Sequence, residues 1–172
     1  MERTGSRVTH EGTQVWVRID EFRYRDGSTS EREVVSHPGA VAIVAHDERR
    51  LLMVRQPREA VGEEKLLELP AGKLEQGESP LECAKRELVE EVGLEAAQWR
   101  PLKRIYSSPG FTDEEVHLFV ATELTEVDPE PGEGERIEIV EVALDELEET
   151  IGRCRDAKSL VGLLLFAELR RR

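Results

Sequence analysis

The apolar and polar positions of this chain fall into recognisable runs. From Gln14 to Tyr24 they largely alternate, with Val15, Val17, Ile19 and Phe22 set against Arg18, Asp20 and Arg23. A period of two marks a half-covered strand. The turn dipeptide Asp26-Gly27 follows, then a short second strand at Glu31 to Ser36, so the pair reads as a β-hairpin. Ala40 to Ala45 is apolar without a break, which suits a buried strand, and the charged turn Asp47 to Arg50 separates it from the next strand, Leu51 to Gln56.

Ser79 to Val92 is the clearest helix. Ser79 is a capping residue, Pro80 occupies the favoured first position, and Glu82 completes a Ser-x-x-Glu capping box. Gly93 supplies the stop. Leu81, Ala84, Leu88 and Val92 share one face, which predicts packing on the sheet. Further strands are expected at Lys103 to Tyr106, Glu115 to Thr122 and Ile137 to Ala143, and helices at Leu144 to Arg153 and Ala157 to Arg171. Asp128 to Glu135, rich in Pro, Gly and Glu, reads as a mobile loop. No internal repeat and no linker interrupts the chain.

Composition narrows the function. The 172 residues are 38% hydrophobic and 35% charged, enough for one domain with a real core. The net charge of −13, from 37 acidic and 24 basic residues, argues against nucleic acid as a partner, which would call for a basic stripe. No apolar run has the length of a membrane span, and the polar N-terminal segment lacks the apolar centre of a signal peptide, so a cytoplasmic protein is expected. Cys83 and Cys154 lie far apart, and His10, His37, His46 and His117 show no metal-ligand spacing, so neither set suggests a zinc site.

The chemistry is concentrated between Gly72 and Leu94, GKLEQGESPLECAKRELVEEVGL. Glu87 and Glu91 lie one helical turn apart, with Glu90 beside them and Arg86 just before. Like charges so close repel, and a hard divalent cation reverses that penalty. By itself the triad also suits a solvated acidic face. The difference lies in its surroundings: Gly72, Glu78 and Gly93 stand at fixed distances from it. The whole fits G-x5-E-x7-R-E-U-x-E-E-x-G-U, with U aliphatic, at each of its nine fixed positions.

That pattern resembles the Nudix box, and the likeness runs from about Arg32 to the end. The segments HPGAVAIV (37–44), VRQPREAVGEEKLLELPAGKLEQGE (54–78), SPGFTDEEVHLFVA (108–121) and DAKSLVGLLL (156–165) are similar to the ADP-ribose pyrophosphatase branch, including Pro109, sixteen residues beyond Gly93. The resemblance implies an α/β/α sandwich around a mixed sheet over residues 37–172. The hairpin within residues 1–36 would be an N-terminal extension that completes the nucleotide pocket of a partner in a homodimer.

It also implies roles. Glu87, Glu90, Glu91 and the carbonyl of Ala71 would hold Mg²⁺, or Mn²⁺ or another divalent cation in its place, with Arg86 orienting the glutamates and Glu78 buttressing the loop. The water-activating base would come from the late loop, where Glu135 is the choice and Glu133 and Glu138 are rivals. Arg58 and Arg32 would contact phosphate and nucleotide, with Ser108 to Glu114, Gly110 among them, near the terminal ribose and Glu114 accepting from a hydroxyl. Trp16, Phe22 and Tyr24 are candidates for adenine stacking or equally for the core. The implied reaction is hydrolysis of ADP-ribose to AMP and ribose 5-phosphate. FAD, NADH, nucleotide sugars and dinucleoside polyphosphates are alternative substrates, and a non-catalytic nucleotide sensor is a remote one.

Overall fold

A computed structural model describes residues 1–13, 15–128 and 136–171. Two sheets account for its strands. The smaller is an antiparallel meander of β1 (Glu2–Glu11), β2 (Trp16–Arg23) and β3 (Thr29–Ser36) in that spatial order. The expected hairpin is present in β2 and β3. It carries a third strand that the sequence reading missed, because β1 has polar residues on both faces and exposes even Val8.

The larger, mixed sheet is built on β4 (Ala40–His46), β5 (Arg50–Arg58), β8 (Leu94–Tyr106), β9 (Glu115–Glu126) and β10 (Glu138–Ala143), in the order β10-β5-β4-β9-β8. β4 and β9 run parallel, Ala40 opposite Val116 through Ala45 opposite Ala121. On its other edge β4 is shared. Its end meets β5 at Ala45 and His46, while its first residues pair with the short β7 (Ala71–Lys73). β5 continues past this fork to pair with β6 (Glu63–Glu68). β6 and β7 were not foreseen, and β8 starts nine residues before the expected Lys103.

Alternation along β4 builds two cores. Val41, Ile43 and Ala45 face α1 (Pro80–Val92), where they meet Cys83, Ala84, Leu88 and Val92. Ala40, Ala42 and Val44 face the opposite side, with Leu147 of α2 (Leu147–Arg153) and Leu163, Phe166 and Ala167 of α3 (Ala157–Arg170). Helices therefore cover both faces of a mixed sheet, the sandwich that was expected. Gly162 lets α3 approach closely, since a Cβ there would meet Leu69 Cδ1 at 2.6 Å.

The α1 termini follow the sequence reading. Ser79 and Glu82 exchange both capping bonds, and Gly93 adopts a left-handed conformation (φ 68°) that returns its N–H to Leu88 and Val89. The buried face is displaced from expectation. Leu81 is 38% exposed, and Cys83 joins Ala84, Leu88 and Val92 in the core instead. Among the described residues no helix is long and apolar enough to cross a membrane.

Candidate active site

The sheet fork opens into a cavity of about 760 Å³. β7 and α1 supply Ala71, Gly72, Arg86, Glu87 and Glu91 to its wall, and β5 supplies Gln56 and Arg58. Trp16 reaches it from the small sheet, Ser107 and Glu114 from the segment before β9, and Lys158 from the first turn of α3.

Glu87 and Glu91 are each only 7% exposed. Backbone geometry sets both. Glu91 Oε2 accepts from the Ala71 N–H at 2.8 Å, and its other oxygen lies 3.5 Å from Gln56 Nε2. Glu87 lies against Gly72 so closely that a Cβ there would overlap its carboxylate. The glycine of the pattern is thus a space requirement: its missing side chain is where the carboxylate goes.

Arg86 is the hub of the cluster. Its Nε and Nη2 donate to the two oxygens of Glu78 at 2.9 and 3.0 Å, and Nη1 donates to Glu87 at 2.7 Å and Glu90 at 2.8 Å. Nη2 also reaches the Lys73 carbonyl at 3.1 Å, fastening the segment before the helix to the helix itself. The Arg86 hydrogen bonds hold the Glu78 carboxyl down at about 2, and those to Glu78, with the charge of Glu87, raise the guanidinium in turn. Cys83 is packed in the core, and burial pushes its thiol up to about 12. Among the described residues no three His, Cys, Asp or Glu side chains converge as a ready metal cage. Arg86 bridges Glu87 and Glu90 instead.

Arg58 is bound in bidentate fashion by Glu68 at 2.6 and 2.8 Å, and Lys158 donates to the same carboxylate at 2.5 Å. Burial opposes ionisation of Glu68, yet these cations keep its carboxyl below the ordinary range. Glu114 lines the cavity, with Oε1 3.6 Å from His37 Nδ1. Arg32 and Gly110 do not line it: Arg32 is exposed on β3 and donates to the Glu31 carbonyl, and Gly110 is exposed in the turn before β9.

Of the three candidate bases, Glu133 and Glu135 lie outside the described residues. Glu138 is on β10, held by Lys65 at 2.8 Å and Arg55 at 3.1 Å, and does not line the cavity. The residues on either side of the late loop, Val127 and Ile137, border an adjoining cleft of about 390 Å³ that Glu90 and Glu91 also line. Sequence reasoning missed Glu68, Lys158 and the Arg18–Asp113 pair. Nothing local in the sequence distinguishes a buried Glu, or an ion pair between distant positions, from surface charge.

The chain matches the NUDIX domain family over residues 35–160. It is 41% identical over 157 residues to a methanol dehydrogenase activator of Bacillus methanolicus, covering 88% of this chain and 84% of that protein. It is 44% identical over 131 residues to an ADP-ribose pyrophosphatase of Bacillus subtilis (strain 168), covering 74% and 70%. A solved ADP compounds hydrolase superposes with a TM-score of 0.85 over 99% of this chain and 94% of that one; at 22% identity the likeness concerns the fold. Fold, box geometry and sequence agree, and the chain belongs to the Nudix family.

Proposed function

We propose that this protein is a divalent-cation-dependent pyrophosphohydrolase that cleaves ADP-ribose into AMP and ribose 5-phosphate. One observation carries the reading: two buried carboxylates, Glu87 and Glu91, face a cavity large enough for a nucleotide and are fixed there by Gly72 and the Ala71 N–H. The similarity to an ADP-ribose pyrophosphatase supports the choice of substrate.

The donor set suits a hard cation. Glu87, Glu90, Glu91 and the Ala71 carbonyl offer oxygen ligands only, the preference of Mg²⁺ and Mn²⁺. Glu87 and Glu91 are already desolvated, a state that an added cation relieves. When bound, the cation neutralises charge on the diphosphate and acidifies water.

The chain's own groups supply the rest. Arg86 orients Glu87 and Glu90 through its Nη1. Glu135 takes a proton from water as the water oxygen bonds to one phosphorus; the bond from that phosphorus to the bridging oxygen breaks, and the other phosphomonoester leaves with that oxygen. Arg58 contacts phosphate, and Glu114 accepts from a ribose hydroxyl. Residues 37–172 form the hydrolase domain, and residues 1–36 extend it in a cytoplasmic homodimer, each small sheet bringing Arg32 to the partner's nucleotide. Trp16 lines the cavity, and we take it as the aromatic that stacks on adenine.

Purified protein incubated with Mg²⁺ and ADP-ribose, FAD, NADH, nucleotide sugars and dinucleoside polyphosphates tests the reading. ADP-ribose giving AMP and ribose 5-phosphate with the highest kcat/KM supports it. Preference for another compound changes the substrate, and no metal-dependent turnover of any refutes it. Gel filtration at 19.5 kDa would refute the dimer.

A further inference from the structure

Glu68 carries a charge that the steps above leave without a task. Its side chain is 1% exposed at the end of β6, and both of its oxygens are engaged by Arg58. A bidentate guanidinium already matches a carboxylate in charge and shape. Lys158 adds a second cation to that carboxylate, brought from 90 positions away in the chain. Its ammonium also lies 2.9 Å from Asp156 Oδ2, an oxygen that caps α3 by accepting from Ser159 N and Oγ.

Both cations border the main cavity. Among the described residues, Arg58 Nη1 has no hydrogen-bond acceptor, and an ammonium with two acceptors keeps a third N–H. Burying a carboxylate to hold two long cations gains little for stability, since desolvation offsets the attraction. For binding, the arrangement has a use: side chains already fixed lose less freedom when an anion arrives.

We infer that Lys158 is a further anion-binding residue of this cavity, engaging non-bridging oxygens of the substrate's diphosphate beside Arg58, and that Glu68 is the positioning residue for both cations. The inference rests on the pyrophosphohydrolase reading for the nature of its ligand.

Calorimetric titration in EDTA with α,β-methylene ADP-ribose, and with uncharged adenosine as control, tests it. Lys158→Met should weaken the analogue about tenfold and leave adenosine unchanged, with Lys158→Arg restoring most of the loss. Glu68→Gln should weaken the analogue similarly and raise KM more than it lowers kcat; Glu68→Asp serves if the first variant does not fold. Analogue affinity within about twofold of wild type in Lys158→Met, or equal loss for adenosine, overturns the role of Lys158. Wild-type affinity in the Glu68 variants, or failure of both to fold, overturns the positioning role. If wild type binds the analogue yet hydrolyses no nucleoside diphosphate derivative, the proposed function falls while this inference stands.

Discussion

Arg18 Nη1 reaches Asp113 Oδ2 at 2.8 Å, joining the small sheet to the segment before β9 across 95 positions of sequence. Arg18 also holds the buried Asp20, and Asp113 accepts from the His37 N–H at 2.9 Å. The bond lies beside Ser107 and Glu114 of the cavity wall, whose backbones close the intervening turn. A double-mutant cycle of Arg18→Met and Asp113→Asn should give a coupling of about 1–2 kcal/mol in urea denaturation. Each single variant should raise KM for the substrate more than it lowers kcat. Independent, additive losses would mean that the two sheets are held by other contacts.

Gly72→Ala places a methyl group where the Glu87 carboxylate lies. Either the strand or the glutamate must move. A stability loss of about 1–3 kcal/mol is expected, with turnover falling further than stability explains. Thermal melts and kcat measured below the variant's melting range separate the two effects. Wild-type turnover would show that Glu87 has a second workable position.

The Glu78–Arg86 pair predicts a pH dependence. The folded carboxyl sits at about 2, below its ordinary 4.5. Its contribution to stability is therefore complete above about 4.5 and is lost as pH falls through about 2. Glu78→Gln should cost about 1–2 kcal/mol at neutral pH, and its deficit against wild type should shrink steadily on acidification between those limits. Urea midpoints measured from pH 7 to pH 2 check this. A constant deficit would assign the loss to packing.

Glu91→Gln keeps an oxygen for the Ala71 N–H but removes the charge. Turnover in Mg²⁺ should fall about a hundredfold or more while the melting temperature holds or rises. Equal falls in both would make Glu91 a structural residue.

Glu135→Gln should slow kcat by about 10²–10⁴-fold while affinity for a non-hydrolysable analogue persists. Full rate in this variant moves the base to Glu133, since Glu138 of β10 is engaged by Lys65 and Arg55.

The parts legible in the sequence were those whose causes are local. Ser79, Glu82 and Gly93 specify the limits of α1 by bonds made within a few residues, and the glutamates of α1 follow one another at helical spacing. Ala40 to Ala45 could be read as a buried strand because burial on both sides leaves an unbroken apolar run. β1 could not, since neither of its faces is covered enough to demand apolar residues. β6 hid for the converse reason: its innermost residue is the charged Glu68, stabilised by partners 10 and 90 positions away. The same distance concealed Lys158 as part of the cavity wall and Arg18 as the partner of Asp113.

The parallel pairing of β4 with β9 sets the order in which this molecule can be made. Residue 40 finds its partner only at residue 116, after a long loop has closed, whereas β5 and β7 arrive early on the other edge. During synthesis, the N–H and C=O groups on the β9 side of β4 have no partner in the chain until β9 emerges. An unpaired edge of that kind is open to pairing with another chain.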